Sequence, residues 1–256
     1  MSQPLTLKKF SIQPDAFKAL QPGQRSVILV LGYMMNEANW LRKLLVQAVV
    51  GLDDTLEGQA KLGLVLTLAS TLASKLHEGW LYMTSAEAGP LIRELPLSPA
   101  LLELRRSFKV NFDEGTLSTI RNKIGFHYPR HLDVARYARM SEEECVIVTS
   151  ENGYNTDLFS YLSALALLEA LVAEDKSQDW QAEFNSVWST VTEASGQYCM
   201  VVSEILAFAL QNWLAGKFTV RPVDIGPVPK LDDISLVFFA HPPKIFEDQK
   251  RANSAG

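Results

Sequence analysis

Leu62-Gly-Leu-Val-Leu-Thr-Leu-Ala-Ser-Thr-Leu-Ala-Ser-Lys-Leu-His-Glu-Gly-Trp80 is the stretch that decides the fold class. Leu62, Val65, Leu66, Leu68, Ala69, Leu72, Leu76 and Trp80 recur at steps of three and four, the period of an α-helix with one apolar face. The helical pattern runs from about Thr55 to Thr84. Upstream, Ile28, Leu31, Met34/Met35, Ala38, Leu41, Leu45 and Ala48 repeat the spacing and predict a helix from Gln24 to about Leu52. Asn36, Glu37, Arg42 and Lys43 fall largely off that stripe. Residues 1–24 carry Pro4, Pro14 and Pro22 and are expected to form an irregular lead-in.

Downstream, Gly89-Pro90 and Pro96-Leu97-Ser98-Pro99 break the pattern, leaving short apolar pieces such as Leu101-Leu102-x-Leu104. A further helix is expected from about Phe112 to Phe126, with Asn111 and Glu114 as its cap. Pro129 disfavours helical geometry at Tyr128, so this helix should end near His127. Cys145-Val-Ile-Val-Thr-Ser150 predicts a strand, Asn152-Gly153 a tight turn, and Tyr154 to Phe159 the return strand. Two long helices follow, over about 160–174 and 179–214. The first is apolar on nearly every face and should be central. Gly216 is a natural stop for the second. Five prolines among apolar residues after that predict an extended arm with short strands around 218–225 and 234–240, and a disordered end from Glu247.

The expectation is a mainly α protein. An antiparallel helical bundle over 25–216 carries a small β-hairpin after the Arg121 helix, and an extended C-terminal arm covers 217–256. Five tryptophans (Trp40, Trp80, Trp180, Trp188, Trp213) fall on helical stripes and should make core or dimer contacts.

Composition narrows the function classes. The chain has 256 residues, 47% of them hydrophobic and 21% charged, so a real core can form. A net charge of −5 argues against gripping nucleic acid by bulk positive field. Two cysteines, Cys145 and Cys199, make no disulfide framework; both sit in apolar runs and read as buried thiols. No Cys/His spacing resembles a metal site, and no cofactor is implied. The N-terminus lacks the apolar stretch of a secretory signal, and the longest apolar run falls far short of the roughly 20 residues that span a bilayer. A cytoplasmic protein without membrane partners is expected.

Chemistry concentrates in Ile120-Arg-Asn-Lys-Ile-Gly-Phe-His-Tyr-Pro129. An Arg followed by Asn, with a His near the end of a bundle helix, resembles the signature of the HEPN superfamily. Arg121, Asn122 and His127 occupy those three positions. The stretch Ala73 to Trp80 and the Asn-Gly hairpin after the motif helix are similar to bacterial members of the abortive-infection and defence branches. The resemblance lies mostly in residues 25–175.

It implies a four- or five-helix bundle that pairs as a homodimer, and in many members a metal-independent endoribonuclease. His127 would transfer protons, Arg121 would stabilise the phosphate during attack by the ribose 2′-hydroxyl, and Asn122 would orient the His or donate to phosphate. Lys123, Tyr128 and Arg130 would touch the substrate. A toxin-like or phage-defence role is implied, with RNA and an antitoxin or other protein as partners. Gly125 and Phe126 depart from the small or aliphatic residues expected inside the motif. Elementary chemistry permits these roles. A histidine titrates at about 6.5 and moves protons near neutrality, and an arginine forks two hydrogen bonds onto phosphate.

Residues six apart lie roughly 120° apart around a helix, so Arg121 and His127 converge only if a second copy lies alongside or the helix end unwinds. Between 101 and 140, eight Lys and Arg face four acids, a basic island of +4 in an acidic chain. Two alternatives stand beside this one. Arg121 serves as a surface ion-pair residue and His127 as a helix C-terminal residue, or the chain is a non-catalytic helical dimer that binds RNA, a nucleotide or a protein. His77-Glu78, and Tyr33 with Asn36 and Glu37, are secondary candidates for lining the same groove.

Overall fold

The structure is a computed structural model that describes residues 3–53, 55–113, 116–121, 147–148, 159–171, 180–229 and 234. Among them run β1 (Gln3–Ile12), α1 (Pro14–Lys18), α2 (Pro22–Val49), α3 (Leu56–Thr84), α4 (Ala88–Arg93), α5 (Pro99–Asp113), α6 (Thr116–Ile120), β2 (Ile147–Val148), β3 (Phe159–Ser160), α7 (Tyr161–Leu171), α8 (Trp180–Trp213) and β4 (Phe218–Val228). The protein is mainly α-helical with a small antiparallel hairpin.

Each long helix starts where its cap chemistry allows. In α2, Pro22 stands at the first turn, where its missing N–H costs nothing, and Gln21 and Gln24 cap each other reciprocally. Thr55 caps α3 by accepting from the Gly58 N–H at 3.2 Å. Ser98 caps α5 by accepting from the Leu101 N–H at 3.2 Å, with Pro99 as the first helical residue. After α8, Gly216 takes the left-handed φ of +69° that ends the run.

The centre falls to α3 rather than to α7. Leu62, Val65, Leu66, Leu72, Leu76 and Met83 of α3 are nearly or wholly shut off from water, and α3 packs against α2, α4, α6, α7 and α8. α7 lies against α3, α6 and α8. Val27, Ile28, Leu31, Ala38, Leu45 and Ala48 are the buried stripe of α2, the face its spacing predicts. An aromatic cluster joins α3, α5 and α8. Trp80 stacks on Phe112 (6.1 Å, 17°), Phe108 stacks on Phe112 (5.3 Å, 14°), and Tyr198 meets Phe108 edge-on (6.3 Å, 87°).

Three expectations need correcting. The irregular lead-in over 1–24 instead contains β1, which pairs antiparallel with β4 from Gln3↔Val228 to Ile12↔Phe218. Pro4 is accommodated beside a register irregularity, and a two-stranded ribbon leaves edge positions where a proline loses no ladder bond. The short pieces around 101–104 are part of α5, because Ser98-Pro99 starts a helix instead of ending one. Asn111 lies inside α5, not at a cap, and the helix expected from 112 begins at Thr116. Of the tryptophans expected at core or dimer contacts, Trp40 is 61% exposed and stands outside the core.

The hairpin forms as expected at Ile147↔Ser160 and Val148↔Phe159. Asn152-Gly153, Cys145 and the strand expected at 234–240 lie outside the described residues, Ile234 excepted. Among the described residues, no helix is long and apolar enough to cross a membrane.

Candidate functional site

Arg121 directly follows α6, a short helix seated by the buried side chains of Leu117 and Ile120. Its guanidinium lies 3.7 Å from the Glu78 carboxylate of α3, with 30% of the Arg121 side chain and 49% of the Glu78 side chain exposed. Of the motif residues, Arg121 is the one the structure places. Asn122, Lys123, His127, Tyr128 and Arg130 lie outside the described residues, as does the expected helix end at Pro129.

α3 positions the acid. His77, one residue before Glu78, turns inward, is 7% exposed, and meets the Phe112 ring edge-on at 5.8 Å. The pair His77-Glu78 therefore splits: the imidazole anchors α3 to α5, and the carboxylate faces Arg121. Gly79 lets α8 approach, because a Cβ there would fall 2.7 Å from Tyr198 Cζ and closer still to its hydroxyl. The rotation of α3 that aims Glu78 outward is thereby tied to the packing of His77 and Tyr198.

One turn before Glu78, Lys75 shares the same face of α3 and sits 3.1 Å from Glu37 of α2. Tyr33 Oη donates to Glu37 at 2.9 Å, and that bond and the carboxylate charge push the Tyr33 hydroxyl up from its ordinary pKa. A row of charge thus runs from Tyr33 and Glu37 through Lys75 and Glu78 to Arg121. Tyr33 and Glu37, secondary candidates for the groove of the motif, connect to Arg121 through Lys75 and Glu78. Asn36 is exposed beside them.

On the far side of Trp80, a pocket of about 570 Å³ opens between α3 and α5. Trp80, Leu81 and Leu102 make its apolar walls, and Arg105, Arg106 and Lys109 its cationic rim. Arg106 has a partner in Glu103 at 3.0 Å. Arg105 is half-buried; burial lowers its pKa, and the positive charge of Arg93 lowers it further. Its position favours an arriving anion, because no carboxylate among the described residues neutralises it.

The motif carried the signal for Arg121, and the basic island carried the signal for Arg105, Arg106 and Lys109. Nothing in the sequence marked Glu78 as the partner of Arg121, since 43 positions separate them. Cys199 is a free, part-buried thiol whose pKa burial raises; its Sγ lies 3.6 Å from Asn39 Oδ1. Among the described residues, no group of three or more His, Cys, Asp and Glu is gathered as metal ligands. The chain matches no protein-family model, no curated protein and no solved structure.

Proposed function

We propose that this chain is a metal-independent endoribonuclease of the HEPN type, with a toxin-like or phage-defence role. The observation that carries the proposal is the setting of Arg121: a part-exposed guanidinium just past α6, oriented from α3 by Glu78 at 3.7 Å. An ion pair that long and that wet is worth about 0–1 kcal/mol, so this contact by itself is little barrier to a phosphate taking the carboxylate's place. The cationic rim of Arg105, Arg106 and Lys109 supports an RNA backbone as ligand, and Leu81 with Leu102 supplies apolar surface against which a base can pack.

In the reaction His127 takes the proton of a ribose 2′-hydroxyl. The alkoxide attacks the adjacent phosphorus, and Arg121 stabilises the negative charge that gathers on the equatorial oxygens. The bond to the 5′-oxygen breaks, and that oxygen takes up a proton. The products are a 2′,3′-cyclic phosphate and a 5′-hydroxyl. Asn122 orients the His or donates to phosphate, and Lys123, Tyr128 and Arg130 hold the strand. Two copies of the motif share one groove in a cytoplasmic homodimer.

The test is cleavage of labelled RNA by purified protein in EDTA, with end-group analysis. Arg121→Ala and His127→Ala should each lower the rate by about 10²–10³-fold while circular dichroism stays unchanged. Wild-type rates in both variants would remove these residues from the mechanism.

A second reading has its own observation. The contact to Glu78 is also what a purely structural Arg121 would make, in a non-catalytic dimer that binds RNA, a nucleotide or a protein partner. Binding of RNA without cutting, together with equal stability losses for Arg121→Gln and Glu78→Gln that fail to add, favours this alternative.

A further inference from the structure

α2 carries two apolar stripes, and the core uses one. On the opposite side of the helix, Leu29 is 60% exposed, Tyr33 59%, Trp40 61% and Leu44 39%. A surface helix normally turns charged and polar residues to this side. With Asn36, these residues step by four, three, four and four along α2, which keeps them on one side of the helix.

The seam reads the same from either end. Around a midpoint between Asn36 and Glu37 the order is Ser26, Leu29, Tyr33, then Trp40, Leu44, Gln47, which is polar, leucine, aromatic, then aromatic, leucine, polar. A two-fold axis at that midpoint sets Leu29 against Leu44 and Tyr33 against Trp40 in an antiparallel pair of α2 helices. It sets the polar Asn36 and Glu37 of one copy against Glu37 and Asn36 of the other. A two-fold interface requires this self-complementarity. Glu37 does not oppose the pairing, because Lys75 already neutralises it at 3.1 Å. If the exposed parts of these four side chains were wholly covered in both copies, they would contribute up to about 1,000 Å², the lower bound for a specific interface.

We propose that a second copy of this chain docks here, α2 against α2, through Leu29, Tyr33, Trp40 and Leu44 around Asn36. The surface stands on exposure and spacing alone. Its meaning for RNA cleavage rests on the ribonuclease proposal: the row Glu37, Lys75, Glu78, Arg121 leads from the axis to the motif arginine, so both copies of Arg121 lie on rows that meet at the axis.

Sedimentation velocity of the full chain across concentration tests the surface. Wild type should sediment as a dimer, and Trp40→Glu should raise the dimer dissociation constant more than about 100-fold with helicity unchanged, since both halves of the interface lose an aromatic anchor. In a Cys145→Ser, Cys199→Ser background, Asn36→Cys should cross-link to itself under mild oxidation. Leu102→Cys, exposed on α5, should not. A wild-type monomer at about 100 μM, a Trp40→Glu variant as dimeric as wild type, or cross-linking of Leu102→Cys in place of Asn36→Cys would overturn the proposal. A dimer that loses its partner on Trp40→Glu yet never cuts RNA supports the surface and sinks the nuclease.

Discussion

Gly79→Ala isolates the close approach of α3 and α8 on which the setting of Glu78 depends. Helix propensity alone favours alanine by about 1 kcal/mol in a helix interior, and Gly79 sits well inside α3. The structure reverses that sign. The new Cβ would meet the buried Tyr198 ring at 2.7 Å from Cζ and 3.1 Å from Cε2, with the hydroxyl oxygen nearer still. The ring cannot swing away, because Tyr198 is 1% exposed and held edge-on to Phe108. Overpacking of this kind costs about 1–3 kcal/mol, and a clash this deep belongs at the upper end. The net expectation is destabilisation by about 1–2 kcal/mol, or roughly 2–8 °C in Tm for a chain of this size.

Tyr198→Phe removes the nearest clashing atom and loses a long hydroxyl contact to Met34 Sδ at 3.5 Å. By itself it should cost less than about 1 kcal/mol. The double variant should recover about 1 kcal/mol relative to additivity. Urea unfolding followed by far-UV circular dichroism gives all three values at matched m. Stabilisation by Gly79→Ala, or strict additivity of the pair, would mean that α3 and α8 stand further apart than described and that nothing locks Glu78 in its rotation.

Thr55→Ala removes the cap bond to the Gly58 N–H and should cost about 1 kcal/mol in the same unfolding assay. On the alkaline side, burial raises the Cys199 thiol above its ordinary value of 9.0 and the Tyr198 hydroxyl well above 10.0. The unfolded chain therefore loses these protons first. Their contribution is complete below the ordinary values and declines as pH rises through 9.0 and 10.0 toward the raised ones. Stability measured from pH 8 to 11 should fall more steeply in wild type than in Cys199→Ala. Arg105→Gln and Lys109→Gln should each weaken RNA binding uniformly across sequences and flatten its salt dependence by about one counterion; unchanged slopes in fluorescence anisotropy would separate the pocket from the RNA path.

The helices of α2, α3, α7 and α8 were legible because the 3.6-residue period records which face leaves water, and the end of α8 because Gly216 carries cap chemistry in its backbone. The hairpin at Ile147 and Phe159 was legible for the same kind of local reason. α5 was misread where Ser98-Pro99 signals either a break or a start, and the buried Phe108 and Phe112 of α5 decide between them by packing on Trp80. Periodicity could not reveal that β1 pairs with β4 across more than 200 positions. It could not foresee that Glu78 would face Arg121, or that the second stripe of α2 would stay outside the core of the chain. A helical pattern states how much apolar surface must be covered. Which element covers it depends on free energies of contact between segments far apart in the chain, and these take a value only once the bundle has closed.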